Sequence, residues 1–472
     1  MIDTQAIKNK IMDLAMKGQL TEQLPEDGIA EDLYRRIIEE KTKLIKEGKI
    51  KKEKSFGEIS DAEIPFEIPE NWKWVRLCDV SYQIWAGGDK PSDFSKESDD
   101  GRTVPVVANG VTNEGILGYT SKATANKNTI TVAGRGTIGF TVLRRYDYCP
   151  IVRLIVIDQS QFINAKYLQI FLQMMPEASV GSSIPQLTVP MIKPKLVPLP
   201  PVSEQARIVE RIEAILEILD KVDVLQSRYA SNLEALQSKL IDAAIQGKLT
   251  DQMPEDENVE STINDLLECR KDLVSSGKIR KKKILPEIEE SEYPFEIPQN
   301  WKWVHISDVW AIINGDRGKN YPAKSTLSHE GIPFISALNL DGTTVVADDK
   351  LMCLSDEQYE RLRSGKLRKG DVVVCIRGSL GKHGKYPFDE GAIASSLIIA
   401  RNYIQSEAIN DYLMVYLDSR LFRDEIEKYN GGSAQPNLAA ESFEKFRIPF
   451  PPVNEQLRIV NRISELIERI TE

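Results

Sequence analysis

Residues 203–247 read SEQARIVERIEAILEILDKVDVLQSRYASNLEALQSKLIDAAIQG, and the predicted fold follows from the pattern of this segment. Its apolar residues alternate spacings of four and three, interrupted at Gln226, which is typical of a coiled-coil seam. The seam consists of Ile208, Ile212, Ile215, Leu219, Val222, Tyr229, Leu233, Leu236, Leu240 and Ala243. Two prolines precede the stretch, Ser203 is a suitable N-cap, and Gly247 is a suitable end. The pattern predicts one long helix that needs a partner along its seam.

Two blocks of sequence occur twice in the chain. PFEIPENWKWV at 65–75 returns as PFEIPQNWKWV at 294–304, and PPVSEQARIV at 200–209 returns as PPVNEQLRIV at 451–460. Between these blocks the two halves have diverged, and the second half is longer. A repeat with a similar frame and different content predicts two units of one fold that recognise different targets.

The two ends of the chain repeat the seam of the long helix. Residues 1–17 are predicted to form a helix, and Asn454 opens a last one. The repeats place Ile459, Ile463, Leu466 and Ile470 on the positions of Ile208, Ile212, Ile215 and Leu219. The terminal helices therefore form a second, interrupted copy of the long helix, which can pack antiparallel against the first with pseudo-two-fold symmetry. This arrangement predicts that Met1 and Glu472 lie close together.

The segments between the helices read as mixed α/β structure. β-Branched runs at 129–133, 140–143 and 151–157 are separated by glycine-containing turns, and 164–175 is the best helix among them. The predicted fold class is therefore α+β, with two mixed α/β domains held apart by an antiparallel pair of long coiled-coil helices. The predicted boundaries are 1–71 for an N-terminal helix and helical linker, 72–199 for the first mixed domain, 200–248 for the central helix, 249–300 for a second helical linker, 301–450 for the second mixed domain, and 451–472 for a C-terminal helix that pairs with the N-terminal and central helices.

The composition of the 472-residue chain is that of an ordinary globular protein, with 41% apolar and 28% charged residues. No apolar run reaches the length of a membrane span, and the N-terminus does not resemble a signal peptide. The five cysteines are scattered without a close pair, so we expect a reduced, cytoplasmic protein that does not contact a membrane. The net charge of −10 leaves nucleic-acid binding possible without favouring it.

Patterns that would indicate catalysis are weak or missing. Residues 134–139 (GRGTIG) match the glycine pattern of a dinucleotide site, but such a site requires a following helix, and 140–143 reads as a strand. The three histidines, the lack of a Cys-x-x-Cys pair and the lack of a phosphate-loop pattern disfavour a metal site or a nucleotide hydrolase. We therefore predict no catalytic, cofactor-binding or metal-binding residues in this chain.

Polar side chains in the predicted loops suit contacts to base edges and phosphates. In the first mixed domain these candidates are Trp85, Lys90, Asn109, Arg135, Thr137 and Gln186. In the second they are Asn314, Arg317, Lys319, Asn320, Asn339, Arg377, Ser379, His383 and Gln435. Arg135 and Arg377 are the strongest candidates because they recur in corresponding, glycine-flanked turns. The alternative for each residue is an ordinary exposed loop side chain.

Other recurring residues are better explained by structural roles. Tryptophans at the starts of both mixed domains are predicted to anchor these domains to their helices: Trp72, Trp74, Trp301 and Trp303. Two proline–leucine pairs are predicted to fix the exit of the chain from each domain: Pro185 with Leu187, and Pro436 with Leu438.

The repeated blocks and their cyclic order resemble the specificity subunit of type I restriction-modification systems. The resemblance covers essentially the whole chain, and inside the domains it rests on GRGTIG at 134–139, IRGSLG at 376–381 and GGSAQPNL at 431–438. It implies a non-catalytic DNA-binding subunit with two target-recognition domains, each reading one half of a bipartite double-stranded DNA target in the major groove. The paired helices would act as a ruler for the gap between the half-sites. The first domain departs from the pattern, with GSSIPQL at 181–187 in place of GGSAQPNL.

The resemblance also implies partners for this chain. Two methyltransferase (M) subunits, which hold S-adenosylmethionine, would dock on the acidic helical parts, and restriction/translocase (R) subunits would join them. The complex would encircle the DNA and flip an adenine in each half-site, while this chain itself holds no cofactor.

Two alternatives stay open from the residues alone. One is a bivalent coiled-coil scaffold that binds protein or RNA through its two domains. The other is a nicotinamide-dependent enzyme, which rests on GRGTIG alone.

Overall fold

The computed structural model describes residues 1–53, 56–174, 186–256, 258–346, 350–429 and 437–471. The chain divides into two compact units, Met1–Ser227 and Arg228–Glu472. Each unit contains a mixed α/β domain and helices packed against it, which confirms the predicted fold class. The predicted proximity of Met1 and Glu472 falls outside the described residues, as do the predictions for Pro185 and Pro436.

Unit 1 opens with two helices, continues into a mixed domain and includes the first part of the long helix. Its helices are α1 (Thr4–Met16), α2 (Ala30–Lys46), α3 (Ala165–Gln173), α4 (Val189–Ile192) and α5 (Val202–Ile245), of which α5 continues into unit 2. Its strands are β1 (Lys73–Arg76), β2 (Ser81–Ala86), β3 (Val104–Val107), β4 (Ile116–Thr120), β5 (Thr129–Val132), β6 (Thr141–Arg144), β7 (Cys149–Pro150), β8 (Ile155–Gln159) and β9 (Leu196–Leu199).

The strands of unit 1 form what we call domain 1, which consists of β1–β9 with α3 and α4. Its central sheet has the strand order β2-β8-β5-β6, with antiparallel neighbours throughout. A second sheet has the order β4-β3-β7, and β1 pairs with β9. All four residues of β5 are buried, as expected for a strand covered on both faces. The strand that follows GRGTIG is β6, so the helix that a dinucleotide site requires is replaced by a strand.

Unit 2 repeats this plan with additional helices. Its further helices are α6 (Val259–Ser275), α7 (Ile306–Val309), α8 (Asp356–Arg361), α9 (Glu407–Asp418), α10 (Arg420–Tyr429), α11 (Ala440–Phe443) and α12 (Val453–Thr471). Its strands are β10 (Lys302–His305), β11 (Trp310–Asn314), β12 (Ile332–Ile335), β13 (Met352–Leu354), β14 (Lys366–Leu367), β15 (Val372–Cys375), β16 (His383–Lys385), β17 (Gly391–Ile393), β18 (Leu397–Asn402) and β19 (Arg447–Phe450).

Domain 2 consists of β10–β19 with α7–α11 and has the same central sheet, whereas its second sheet has one strand more. Its central sheet has the order β11-β18-β15-β16, its second sheet has the order β13-β12-β17-β14, and β10 pairs with β19. The strands β11, β18, β15 and β16 thus occupy the places of β2, β8, β5 and β6. The divergence of the two sequences has left the topology of the central sheet unchanged.

In unit 1 the seam of α5 packs against the N-terminal helix. Ile11 and Ala15 of α1 lie in one buried cluster with Ile208 and other seam residues of α5. Lys8 Nζ lies 2.8 Å from Asp220 Oδ1, whereas Thr21 Oγ1 lies 3.2 Å from Glu204 Oε1, so the two segments run antiparallel. The interruption of the seam has a structural explanation, because the Gln226 side chain donates to the backbone oxygen of Ile2 at 3.1 Å.

In unit 2 the last part of α5 packs against the C-terminal helix in the same way. Ile459 and Ile463 of α12 share a buried cluster with Ala244 of α5. The Tyr229 hydroxyl donates to the backbone oxygen of Ile470 at 3.4 Å, so these helices also run antiparallel. The prediction that the chain supplies its own seam partners holds within each unit, although Tyr229 and Leu236 of the predicted seam are exposed rather than buried.

The ends of α5 differ slightly from the prediction. The helix begins at Val202, so Ser203 lies inside the first turn rather than at the N-cap. It ends before Gly247, which has a φ of +69°. A Cβ atom at Gly247 would lie 2.4 Å from Pro298 Cγ, so glycine is required there both by the backbone and by the neighbouring proline.

A buried carboxylate connects domain 1 to its helices through hydrogen bonds. Glu204, in the first turn of α5, is 0% exposed. Its Oε2 accepts a hydrogen bond from Trp72 Nε1 at 2.8 Å, and its Oε1 accepts from Gln23 Nε2 at 2.8 Å. Because a buried charge is stable only when its acceptor sites are occupied, these partners hold the helix, the first strand and the loop after α1 together.

Unit 2 contains the same connection. Glu455 is 0% exposed and accepts from Trp301 Nε1 at 2.8 Å and from Gln252 Nε2 at 3.0 Å. The other two tryptophans pack edge-to-face on phenylalanines of the repeated block, with ring centroids 5.0 Å apart for Phe66–Trp74 and 5.1 Å apart for Phe295–Trp303. The predicted anchoring of the domains to their helices is confirmed for Trp72 and Trp301.

Candidate nucleic-acid interface

The candidate loops of domain 1 meet at one end of its central sheet. Ala86, at the end of β2, and Val132, at the end of β5, both pair with Ile155 at the start of β8. Thr141, at the start of β6, pairs with Val132. We call the loops at this end the apical edge of domain 1, comprising 87–90, 134–139, 152–153 and Gln186.

The corresponding end of domain 2 carries the corresponding loops. Asn314 pairs with Ile398, and Cys375 pairs with Leu397, so the loops after β11 and β15 and before β18 lie together. We call them the apical edge of domain 2, comprising 314–320, 376–381, 395–396 and Asn437. Both edges consist of connections between strands of a buried sheet, which is a common position for binding residues.

The loop between β5 and β6 has the same hydrogen bonds as the loop between β15 and β16. Gly139 N donates to Ala133 O at 3.0 Å, and Gly381 N donates to Cys375 O at 3.0 Å. In each loop the third and sixth residues of the GRGTIG or IRGSLG motif have a positive φ: Gly136 (+71°), Gly139 (+86°), Gly378 (+80°) and Gly381 (+81°). The glycines of both motifs therefore allow a tight hairpin between two strands, which is a structural reason for the motif to recur.

In domain 1 this hairpin presents an arginine paired with an amide. The exposed Arg135 donates to Gln186 Oε1 from Nη2 at 2.8 Å and from Nε at 3.1 Å. The neighbouring backbone is tied as well, because Leu187 N donates to Gly134 O at 2.9 Å. A guanidinium held beside a carboxamide offers donors suited to guanine and a donor–acceptor group suited to adenine.

Domain 2 presents the equivalent pair. Arg377 Nε donates to Asn437 Oδ1 at 3.2 Å, and Leu438 N donates to Ile376 O at 2.9 Å. Leu187 and Leu438 thus tie the segments before α4 and α11 to the hairpins, inside each domain rather than at the predicted exit of the chain. Asn437 was not among the sequence-based candidates, although its alignment with Gln186 was a signal that could have identified it.

The apical edge of domain 2 carries a second cation close to the first. Arg317 Nη2 lies 3.4 Å from Asn314 Oδ1 and 3.3 Å from the backbone oxygen of Ser395. Partial burial lowers the pKa of Arg317, and the positive charge of Arg377 lowers it further. Two guanidinium groups that repel each other form a surface that favours an anion such as a phosphate.

Three candidates have side chains that are engaged within the fold. Asn109 uses its amide on the backbone, accepting from Gly134 N at 2.8 Å and donating to Val152 O at 2.8 Å. Asn339 is 1% exposed and accepts from Ser336 N at 3.0 Å, closing a short turn.

His383, the third of these, is a residue of β16. It is 4% exposed, with Nδ1 2.8 Å from Gly381 O and Nε2 3.3 Å from Asp418 Oδ1. Burial therefore removes Asn339 and His383 from the surface, whereas Asn109 positions other residues of the edge.

The remaining candidates lie at or near the edges. Thr137 and Ser379 occupy equivalent exposed positions in the two hairpins, and Lys319 is exposed in the loop after β11. The side chain of Lys90 lies over the Phe94 ring, with Nζ 3.6 Å from its centroid.

Two further candidates are partly engaged by the fold, and one is not described. Trp85 is half-buried in β2 and packs against the buried cluster that contains Val107, so its side chain stabilises the domain beneath the edge. Asn320 donates to the backbone oxygen of Arg361 at 2.8 Å. Gln435 lies outside the described residues.

Arg153 is a cation of the apical edge of domain 1 that the sequence did not identify. It is exposed beside the hairpin, and its backbone oxygen would lie 3.7 Å from a Cβ atom at Gly134. Only the pairing of β8 with β5 places it there. No motif or repeat marks Arg153, so tertiary structure was needed to find it.

The described part of the chain contains no cluster of three or more side chains that could hold a metal ion. Within the same residues, no helix combines the length and apolar content that crossing a bilayer requires.

The chain thus belongs to the class of proteins that are built from two versions of one domain. Each version has the same central sheet and an arginine–amide pair on its apical edge. The sequence profile of the type I restriction modification DNA specificity domain matches residues 69–225 and 298–472. The chain therefore belongs to the family of type I restriction-modification specificity subunits, whose role is DNA target recognition.

Named relatives agree with this assignment. The chain is 26% identical to the specificity subunit of the type I restriction enzyme EcoAI of Escherichia coli, over 98% of this chain and 88% of that protein. It is 25% identical to the specificity subunit of the Escherichia coli enzyme EcoEI, over 98% of this chain and 89% of that protein. A chain from a solved type I R-M system has a similar fold, with a TM-score of 0.54, 19% identity and coverage of 86% of this chain and 93% of that chain.

Proposed function

We propose that each apical edge reads one half of a bipartite double-stranded DNA target in the major groove. The observation that carries this proposal is the recurrence of the arginine–amide pair, Arg135 with Gln186 and Arg377 with Asn437, on hairpins with the same hydrogen bonds. Arginine is well suited to guanine, and a side-chain amide is well suited to adenine. Different neighbours around a common pair would give the two domains different half-sites.

The chain itself would perform no chemistry. Two methyltransferase subunits carrying S-adenosylmethionine would bind it and methylate an adenine flipped out of each half-site, and restriction/translocase subunits would join the same complex. The support comes from the relatives, which are named as specificity subunits of restriction enzymes. Flipping is required because a base inside a duplex is not accessible to the methyl donor.

The helices offer surfaces on which such partners could dock. In unit 1, Ile218 and Leu225 are exposed and lie two turns apart on α5, on one face of the helix. In unit 2, Tyr229 and Leu236 have the same relationship. Exposed apolar side chains that form a patch are characteristic of protein interaction sites. We propose that these two patches contact the methyltransferase subunits.

A domain exchange in the assembled complex tests the proposed reading. Residues 72–199 would be replaced with the corresponding domain of another specificity subunit. The variant would be expressed together with its methyltransferase subunits, and methylated adenines would be mapped across the host genome. We expect a new sequence in one half-site and the original sequence in the other. An unchanged bipartite target would overturn the proposal, and methylation without a bipartite target would favour a scaffold function.

The proposed ruler function of α5 can be tested by changing its length. Deleting residues 231–234, which include no residue of the two apolar patches, shortens the helix by about 6 Å, which corresponds to roughly two base pairs, and rotates it by about 40°. We expect the gap between the half-sites to shorten while both half-sites keep their sequences. The control replaces the same four residues with alanine, which keeps the length and should keep the gap. An unchanged gap after the deletion would refute the ruler.

The proposed docking surface can be tested separately from DNA recognition. The substitutions Leu225→Lys and Leu236→Lys place a charge in each apolar patch and should abolish co-purification of the methyltransferase subunits. Ser231→Lys adds the same charge elsewhere on the exposed surface of α5 and should leave co-purification intact. If all three variants retain the methyltransferase subunits, the patches are not the docking surface.

A further inference from the structure

One turn of domain 1 is built in a way that its counterpart in domain 2 is not. Val152 and Arg153, which precede β8, have φ angles of +53° and +57°. The left-handed region is unfavourable for a β-branched residue such as valine, and glycine or asparagine is the usual occupant. In domain 2 the corresponding residues are Ser395 and Ser396, and neither has a positive φ angle.

The surrounding backbone holds this turn firmly. Val152 N donates to Gly88 O at 2.9 Å, and Arg153 N donates to Gly87 O at 3.1 Å. Gly87 itself has no room for a side chain, since a Cβ atom there would lie 2.5 Å from the carbonyl carbon of Pro150. A strained conformation that is fixed at several points by its neighbours is typical of a functional position.

The side chain of Asn109 takes the place of a direct hydrogen bond between the hairpin and the turn, which is present in domain 2 and missing in domain 1. In domain 2, Ile376 N of the hairpin donates directly to Ser396 O at 2.9 Å. In domain 1 the equivalent donor, Gly134 N, bonds to Asn109 Oδ1 instead, and Asn109 Nδ2 holds Val152 O. Asn109 therefore joins the turn to the hairpin that carries Arg135, so that the two parts of the edge are positioned together.

The conformation leaves an exposed apolar side chain on an edge whose other fully exposed side chains are polar. Val152 is 49% exposed, and it lies beside Arg153 on the edge that also carries Arg135. In the major groove the C5-methyl group of thymine is the one apolar group on a base edge, and apolar side chains recognise it by contact. Arginines on the same edge can hold the neighbouring phosphates or base edges.

We propose that Val152 contacts the C5-methyl group of a thymine in the half-site read by domain 1, with Asn109 as the residue that positions it. This inference rests on the proposed reading of DNA by the apical edges. It adds a specific chemical group on the DNA and a specific side chain. The serines at the equivalent turn of domain 2 make no such apolar contact, so a methyl dependence of this origin is confined to one half-site.

The test compares thymine with uracil, which differs only by lacking the methyl group. The complex of this chain with its methyltransferase subunits is titrated with duplexes that carry the mapped target. Each thymine of the domain 1 half-site, on either strand, is replaced in turn by uracil. We expect one position at which uracil weakens binding about fourfold, the factor for burial of one methyl group. Uracil in the domain 2 half-site is the internal control.

Substitutions then assign the methyl dependence to Val152. Val152→Gly removes the side chain and suits the left-handed backbone, so the variant should melt no lower than wild type and bind thymine and uracil duplexes equally. Arg153→Ala should weaken binding to both duplexes alike and keep the fourfold ratio. Leu117→Ala, which truncates an exposed residue of β4, should change neither affinity nor ratio.

The outcomes separate this inference from the function on which it rests. A domain 1 half-site without thymine, no uracil effect in wild type, or an undiminished effect in Val152→Gly each overturns the role of Val152. The same holds if Arg153→Ala, rather than Val152→Gly, removes the dependence. The domain exchange described above decides independently whether domain 1 reads DNA at all.

Discussion

The apical edges of domains 1 and 2 share a hairpin and differ in the turn beside it. In domain 1 the backbone oxygen of Val152 is held by the amide of Asn109, whereas in domain 2 the oxygen of Ser395 is held by the guanidinium of Arg317. The same position in the fold is thus occupied by a neutral group in one domain and by a cation in the other. The hairpin is the same in both domains, and the residue that holds the neighbouring turn differs. Such a difference is one physical way for a single fold to recognise two target sequences.

The contacts between each domain and its helices, which we call the frame, differ much less between the two units. Each unit contains a fully buried glutamate bonded to a tryptophan and a glutamine, and each contains a partly exposed arginine bonded through two nitrogens to a buried aspartate. Buried charges tolerate little change because every partner must be present. Exposed edge residues tolerate change because water can replace a lost partner. The contrast between frame and edge can be tested by substitutions in both halves.

The largest effect is expected at the buried carboxylates. Glu204→Ala leaves Trp72 Nε1 without an acceptor and removes one of the acceptors of Gln23 Nε2, and it should lower the free energy of unfolding by about 3 kcal/mol. Glu455→Ala should cause a similar loss, since its contacts are equivalent. Urea denaturation measures both, and Glu210→Ala, on the exposed surface of α5, should change stability by less than about 0.5 kcal/mol. A large difference between the two buried sites would contradict an equivalent frame.

The next effect concerns the residue that joins the two parts of the domain 1 edge. Asn109→Ala leaves Gly134 N and Val152 O without partners and should lower the free energy of unfolding by about 2 kcal/mol. Arg317→Ala removes the corresponding contact to an exposed turn in domain 2 and should cost less than about 1 kcal/mol. Thermal denaturation of both variants checks the comparison. Equal losses would show that the two turns are held alike.

The arginines of the two hairpins should affect DNA binding rather than folding. Arg135→Ala and Arg377→Ala should each weaken binding of the target by about tenfold in the complex with the methyltransferase subunits, because one base or phosphate contact is lost. Each variant should relax specificity in one half-site only. Binding titrations on duplexes mutated in either half-site measure this, with Arg211→Ala on the exposed surface of α5 as the control. Relaxation of both half-sites by one substitution would contradict separate reading.

The smallest effect is an acid-dependent one in the frame. The hydrogen bonds from Arg207, at 2.7 Å and 2.5 Å, lower the pKa of Asp27. A lowered pKa in the folded state stabilises the protein above the unfolded pKa of about 3.9, and this contribution is lost as the pH falls through the folded pKa.

Removing that arginine should therefore reproduce the effect of acid. Arg207→Ala should lower the free energy of unfolding by about 1 kcal/mol at pH 7, and the difference from wild type should shrink below pH 4. Arg458→Ala should behave alike, because Arg458 lowers the pKa of Asp256 in the same way. Urea denaturation at both pH values measures the effect, and a difference that persists in acid would assign it to packing.

The site could be predicted only in part. The sequence points to Arg135 and Arg377 because each precedes a glycine in a recurring motif, and their amide partners lie in a second recurring segment. Asn339 and His383 were selected as polar residues near turns, and both are buried. Arg153 carries no local signal at all. Residue type and loop position indicate which groups could bind, but burial and the pairing of distant strands decide which are available.

The repeat, the long helix with its seam partners and the tryptophan anchors can be read directly from the chain, because local periodicity and near-identical blocks specify them. The left-handed turn at Val152 and Arg153 and the bridging role of Asn109 arise only in the folded protein. The physical reason is that these features depend on hydrogen bonds between segments far apart in the chain. The backbone conformation of Val152 is set by Gly87, Gly88 and Asn109, which its own sequence neighbourhood does not contain.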